Sequence, residues 1–343
     1  MSARQAAVVY NPSNMFYLSG YTGEGLALVG SAVKAIITDF RYTEQAGQQS
    51  PGFEVCMTEK GRTHEDLLNV LCAKYGVDTL YYEDDTLTVR TFNRAREAVK
   101  GAEWKPINGA TERLREIKDE GELALIEKAC KITGDAFERI LPQIREGMTE
   151  KQLALKLEYE MYGLGAEKLA FDTIVASGAH GSLPHAIPGE NVIRRGDMIT
   201  LDFGAKVGGY CADMTRTVAL GEPSDEMRRV YQTVREAQEL AQNAVAAGKD
   251  CRAVDQLARD YIDNAGYAGR FGHGLGHSLG IDIHESPRLS QLATGALKPN
   301  QLMTVEPGVY LPGVGGVRIE NTVVVLDGGC RALTLPTREL IIL

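Results

Sequence analysis

Residues 199–220, ITLDFGAKVGGYCADMTRTVAL, read as two apolar strands joined through a glycine-rich turn, and each strand carries one aspartate among hydrophobic neighbours. Strand side chains alternate between faces. Asp202, flanked by Leu201 and Phe203, therefore points away from both. Gly204, Gly208 and Gly209 supply the hairpin, and if Asp213 shares a face with Asp202 the two can chelate or bridge cations. A carboxylate inside an apolar β-run is costly unless a cation or a hydrogen-bond donor pairs it. A lone strand aspartate is usually structural. The pair, joined by one histidine and two glutamates nearer the C-terminus, argues for a site.

Those three candidates stand in equally distinctive contexts. The run GRFGHGLGHSLGIDIHESPR (269–288) sets His273, His277 and His284 among closely spaced glycines, which suggests close backbone approach. A neutral imidazole suits a borderline cation, and a second suits proton transfer or oxyanion binding near neutral pH. The competing reading of each is a hydrogen-bonded structural histidine, His273 above all. Glu306 sits in TVEPG (304–308), at a turn directly after a β-run. Glu320 sits in GVRIENTVVV (316–325), two residues after Arg318, so both share one strand face. Arg318 would hold a ligating carboxylate or contact substrate. A surface ion pair is the rival, disfavoured by the flanking valine and isoleucine. Asp202, Asp213, His277, Glu306 and Glu320 are together the donor set that two adjacent divalent cations need, the arrangement of a two-metal hydrolase.

With 343 residues the chain has room for two domains, each burying its own core. Its composition, 44% apolar and 24% charged, is that of an ordinary globular protein. The net charge of −9 disfavours nucleic acid and anionic membranes as partners. No window approaches the ~20 apolar residues of a membrane span, and the opening residues carry no signal-peptide core. The six cysteines show no CxxC pair, which suits reduced thiols and a cytoplasmic enzyme. Cys211, two residues before Asp213, reads as a packed thiol and not as a ligand.

Along the chain, AAVVY (6–10), GLALVG (25–30), KAIITD (34–39) and DTLYYE (78–83) read as strands, and HEDLLNVLCAKYG (64–76) as a helix ending on Gly76. They predict a small α/β domain over residues 1–109. A long helix is expected from Thr111 until Gly147 stops it. A second follows the capping pattern of Thr149 and Gln152, a third spans about 224–247 and a fourth about 253–265. The remaining segments are β-patterned. Strands and helices segregate over residues 110–343, which favours α+β, with one sheet carrying the five ligands and helices behind it.

LDFGAKVGGYCADMTRT, HGLGHSLGIDIHE, TVEPGVY and GVRIENT, in this order and spacing, resemble the motifs of the pita-bread (creatinase/methionine aminopeptidase-type) metallopeptidases. Within that superfamily the chain is most similar to Xaa-Pro dipeptidase (prolidase) and aminopeptidase P. The likeness extends to NPSNMFYLSGYTG (11–23) and LREIKDEGELALIEKA (114–129). It also leads one to expect an opening amphipathic helix before the first strand, which these residues do not show.

The resemblance implies a creatinase-type N-terminal domain before a pita-bread catalytic domain. It implies two divalent metal ions per subunit, Mn²⁺ first and Co²⁺, Zn²⁺ or Fe²⁺ as alternatives, held by Asp202, Asp213, His277, Glu306 and Glu320, with Glu320 bridging. It implies His185, in SLPHA, near the scissile carbonyl, His284 steadying the tetrahedral intermediate, and Glu306 moving the proton. His273 and Arg288 would line the substrate pocket, Arg288 meeting the substrate carboxylate. The implied activity is hydrolysis of Xaa-Pro bonds in dipeptides or short proline-containing peptides by a cytoplasmic homodimer. Aminopeptidase action on longer peptides is the nearest alternative. A non-catalytic peptide-binding module is disfavoured because all five ligands are present, and a methionine aminopeptidase would not need the preceding domain.

Overall fold

Side-chain alternation along Gln5–Val9 organises the first part of the chain: Ala6 and Val8 enter one apolar core, while Ala7 and Val9 enter another. A strand with both faces covered belongs in the middle of a sheet, and it lies there. The computed structural model describes residues 2–343 and divides into two units, one running through Arg115 and the other Glu116–Leu343. In the first unit six strands lie in the order Glu54–Met57, Lys34–Thr38, Leu26–Gly30, Gln5–Val9, Thr79–Tyr82 and Glu103–Pro106. Gln5–Val9 runs antiparallel to Leu26–Gly30 and parallel to Thr79–Tyr82, so the sheet is mixed.

The four strands read from sequence are present, as is the helix His64–Tyr75, which Thr63 and Asp66 cap reciprocally and Gly76 ends in the left-handed region. Helix Pro12–Ser19 escaped the periodicity, yet its start is legible: Asn11 accepts from the backbone of Ser13 and Asn14, and Pro12 opens the first turn. The long helix expected from Thr111 is two. Ala110–Arg115 ends in the first unit, and Glu120–Ile140 starts anew in the second, with Asp119 and Glu122 forming a capping box. The division consequently falls after Arg115 and not at the expected Gly109.

In the second unit every strand pairing among the named strands is antiparallel. The expectation of one continuous sheet is corrected. The candidate residues are carried by several short ladders: Ile174–Ser177 with Met198–Phe203 and Met214–Ala219; Gly276–Ser278 with Glu285–Leu289; Leu302–Val305 with Asn321–Leu326 and Gly329–Ala332; and Gly308–Leu311 with Gly315–Arg318. Breaks between ladders, as at Pro307, carry Asp213, Glu306 and Glu320, while Asp202 and His277 lie within paired strands. Helices Asp225–Ala244 and Cys251–Ile262 pack their apolar faces into one core with Met303, Val305, Val317 and Val323.

The hairpin between Asp202 and Asp213 forms as read, with Gly208 and Gly209 both at positive φ in its turn. Gly204 is required for a different reason: a Cβ there would collide with the carbonyl oxygen of Ala212, the residue beside Asp213. Gly204→Ala should therefore lower unfolding free energy by at least about 1–3 kcal/mol, the usual range for overpacking, in denaturant titration. A variant as stable as the parent would show that the two strands separate freely.

Candidate metal centre

Five ladders and turns deliver their side chains to one cavity. Asp202 comes from Met198–Phe203, Asp213 from the residue before Met214–Ala219, and His277 from the middle of Gly276–Ser278. Glu306 follows Leu302–Val305, and Glu320 lies between Gly315–Arg318 and Asn321–Leu326. One carboxylate oxygen from each of Asp202, Asp213 and Glu320 lies within 4.8 Å of the other two. His277 Nε2 stands 3.3 Å from Glu306 Oε1 and 3.6 Å from Asp213 Oδ2. All five expected ligands thus meet.

The neighbours orient these groups. His277 Nδ1 is 3.0 Å from the carbonyl oxygen of Ser278 and donates to it, which leaves the Nε2 lone pair facing the carboxylates. Thr304 Oγ1 accepts from His277 N and donates to Glu306 Oε1 at 3.1 Å, tying two ligand-bearing segments together. Thr215, opposite Asp202 across the ladder, donates to Glu320 Oε2 at 2.8 Å. Two buried oxygens, Asp202 Oδ1 and Glu320 Oε1, have no hydrogen-bond partner in the protein.

Electrostatics make the same demand for a cation. At separations of no more than 4.8 Å, each pair of carboxylate charges repels by about 3 kcal/mol even at an effective dielectric near 20. Burial first, then the neighbouring acids, pushes Asp213 and Glu320 well above the usual carboxylate range. Burial raises Glu306 to about 7 against the opposing pull of Arg318. Burial and then the nearby His284 lower His277 to about 3, so its ring is neutral and free to ligate. Unpaired oxygens, a neutral imidazole aimed at them and excess negative charge are the donor chemistry of divalent cations, and the residues fit them.

Arg318 was a candidate for holding a ligating carboxylate or contacting substrate; it is only 3% exposed and heavily engaged. Its guanidinium donates to Asp202 Oδ2 at 2.6 Å, Tyr310 Oη at 2.9 Å, Pro184 O at 3.2 Å and, through Nε, Thr215 Oγ1. Four of its five N–H donors are thus engaged, one of them on Asp202, while the residue still lines the cavity. His273 likewise lines the cavity with both nitrogens in use: Nδ1 donates to Gly274 O, and Nε2 accepts from Tyr310 Oη at 2.9 Å. Burial, then Arg318, holds it down at about 4. Tyr310, which joins these two residues, carried no signal in the sequence beyond following PGV.

His185, His284 and Arg288 reach the same cavity from more exposed positions. The His284 ring meets His277 edge to face at 4.5 Å between centroids, and Arg288 is the cross-strand partner of His277. Phe171, Ile174 and Ile283 give the cavity apolar walls, and its volume is about 370 Å³. Cys211 is a packed thiol, donating to Ile281 O, with burial raising it to about 11.

Residues 124–327 match the model of metallopeptidase family M24, and residues 3–117 that of the creatinase/prolidase N-terminal domain. The chain belongs to metallopeptidase family M24. Its α+β second unit is the pita-bread domain of that superfamily, preceded by a creatinase-type domain, and the chain is a metal-dependent peptidase. M24 enzymes use divalent metals, and the carboxylate cluster lies within the matched residues. An uncharacterised peptidase (YqhT) of Bacillus subtilis strain 168 is 42% identical over 98% of this chain and 95% of that protein. The Xaa-Pro dipeptidase of Pyrococcus furiosus is 38% identical over 97% of this chain and 94% of its own length. Among solved structures, an Xaa-Pro dipeptidase from Bacillus anthracis superposes with a TM-score of 0.95 at 41% identity, covering 98% of this chain and 95% of that one. An X-Pro aminopeptidase from Thermotoga maritima gives 0.93 at 40% identity, over 99% and 97%.

The charge imbalance predicts a pH dependence for the metal-free M24 chain. Carboxyls raised in the fold stabilise it below their unfolded value of about 4, and that stabilisation disappears as pH rises through the folded value, about 7 for Glu306. The depressed histidines oppose this only below about 6.5, where the unfolded chain begins to protonate them. Chelator-treated protein should therefore melt at a lower temperature at pH 8.5 than at pH 6.5, and added Mn²⁺ should raise the melting temperature more at pH 8.5. A flat profile in scanning calorimetry, with or without metal, would contradict the repulsion.

Proposed function

We propose that this chain hydrolyses the Xaa-Pro bond of dipeptides and short peptides, using two divalent cations held by Asp202, Asp213, His277, Glu306 and Glu320. The observation that carries the reading is the convergence of four carboxylates and the open Nε2 of His277 in a cavity of about 370 Å³. That volume is at the small end of ligand pockets, about 300–1,000 Å³, and fits a dipeptide or a peptide end. Four carboxylates and one imidazole are the donor set that two adjacent divalent cations need, which favours two. Mn²⁺ suits an oxygen-rich set with one imidazole; Co²⁺, Zn²⁺ and Fe²⁺ satisfy the same donors, and availability selects among them. The Xaa-Pro dipeptidases of Pyrococcus furiosus and Bacillus anthracis supply the substrate class by likeness.

When bound, the cations supply Lewis-acid chemistry: a water acidic enough to attack at neutral pH and positive charge opposite the developing oxyanion. The protein does the rest. Glu306 is the group for taking the proton of the attacking water and passing it to the proline nitrogen, because an amine leaves poorly unless protonated. An Xaa-Pro bond carries no N–H, so recognition falls to shape, with Phe171, Ile174 and Ile283 as walls. His185 and His284 donate to the oxyanion, and Arg288 at the cavity edge pairs with the substrate carboxylate. Arg318, through Asp202, and Thr215, through Glu320, keep two ligands from turning. A homodimer in a reducing cytoplasm completes the proposal, in keeping with six free cysteines and with the absence, among the described residues, of a helix long and apolar enough to cross a membrane.

Release of free amino acids from Gly-Pro, Ala-Pro, Met-Ala and Ala-Pro-Ala, with and without Mn²⁺, tests the reading. Metal-dependent cleavage of Gly-Pro and Ala-Pro, with Met-Ala slow and Ala-Pro-Ala no faster than Ala-Pro, is expected. Ala-Pro-Ala cleaved much faster than the dipeptides would turn the assignment to an aminopeptidase. Asp213→Asn should lose metal and activity together, as read by elemental analysis. His284→Ala should keep its metal while kcat falls by about 100-fold, the size of a lost oxyanion donor; an unchanged kcat would remove that role.

A further inference from the structure

Behind the segment that carries His185 lies a polar cluster that hydrolysis at the metal centre does not use. Glu150, the first residue of helix Glu150–Gly163, is wholly buried and does not line the metal cavity. Its Oε1 accepts from Ser177 N at 2.7 Å, Asn191 Nδ2 at 2.8 Å and Ser177 Oγ at 3.1 Å, while Oε2 is 2.8 Å from His180 Nδ1. Asn191 Nδ2 also reaches Ser177 O at 3.3 Å, and the backbone N–H groups of Glu150 and Lys151 donate to Asn191 O and Gly189 O.

Segment 178–190 leaves the strand Ile174–Ser177 and returns at Asn191, so one carboxylate grips both ends and, through His180, the first turn of the segment. The far side of the segment is also held, with Gly181 against Gly316 and Pro184 O accepting from Arg318. His185 itself is exposed. Its direction is set by the segment that bears it.

We propose that Glu150 is a positioning residue for hydrolysis, acting through Ser177, His180 and Asn191 to fix the segment that presents His185 to the scissile bond. The inference rests on the role given to His185 under the proposed function. A glutamate is needed because every donor around it requires an acceptor: glutamine would turn an N–H₂ toward either His180 or the Ser177–Asn191 pair, releasing one of them. The helix N-terminus adds a favourable field for the carboxylate. A displacement of about 1 Å at a reacting group costs up to about 100-fold in rate. Because His185 is assigned to the oxyanion, the loss belongs in kcat and not in KM.

The test compares Glu150→Gln, Asn191→Ala, His185→Ala and the double variant Glu150→Gln/His185→Ala in the Mn²⁺-loaded full chain. Metal content, melting temperature, kcat and KM on Ala-Pro are measured for each. Glu150→Gln and Asn191→Ala should each lose about 10–100-fold in kcat with full metal and KM within about twofold. The double variant should be no slower than His185→Ala alone, a non-additivity that a merely structural role would not produce. If Glu150→Gln does not fold, Asn191→Ala combined with His185→Ala carries the same comparison. Wild-type kcat in Glu150→Gln beside an impaired His185→Ala, losses that multiply in full, or loss of metal would each overturn the inference. A fully active His185→Ala would instead overturn the reading on which it rests.

Discussion

Four carboxylates gathered around one imidazole, with one buried guanidinium in direct contact, form an assembly that repels itself. Everything in the second unit is arranged to hold that repulsion in place. Without a counter-charge, burial and mutual repulsion drive Asp213 and Glu320 far toward their protonated forms and lift Glu306 to about 7. A cation bound among these carboxylates would reverse that cost, which is the role proposed for Asp213, Glu306 and Glu320. The orphaned Asp202 Oδ1 and Glu320 Oε1 mark the same need at the level of single atoms.

Holding mutually repelling groups at fixed distances requires neutral donors as well as charge. Thr215 and Thr304 perform this on two sides of the centre, each linking a ligand to a neighbouring strand. Arg318 does it from below, joined through Tyr310 to His273, whose backbone carbonyl in turn accepts from Arg259. The fragmentation of the unit into short antiparallel ladders follows from the same constraint. A continuous sheet would leave no turns at which Asp213, Glu306 and Glu320 could point inward from successive segments.

The first unit follows a simpler logic. Its mixed sheet is apolar on both faces, and capped helices close the connections. Periodicity and caps sufficed to read most of it, because strands such as Lys34–Thr38 and the helix His64–Tyr75 obey local rules. Short, incompletely buried Glu54–Met57 and Glu103–Pro106 escaped, since edge strands need little hydrophobic pattern to pair. The single long helix expected after Thr111 failed because a capping box of Asp119 and Glu122 restarts the helix there.

For the site, the order Asp202, Asp213, His277, Glu306, Glu320 was legible because costly residues in apolar β-runs stand out even in isolation. The glycines of the hairpin were legible too, since positive φ and close approach leave little choice of residue. What decides that Arg318 clamps Asp202, that His273 has no free nitrogen, and that Tyr310 joins them is the packing of separate ladders. So too with Glu150, whose partners lie up to 41 positions away. Local sequence determined which residues are chemically out of place; only the tertiary structure decided which partner satisfies each, because a hydrogen bond depends on ångström distances that spacing along the chain does not encode.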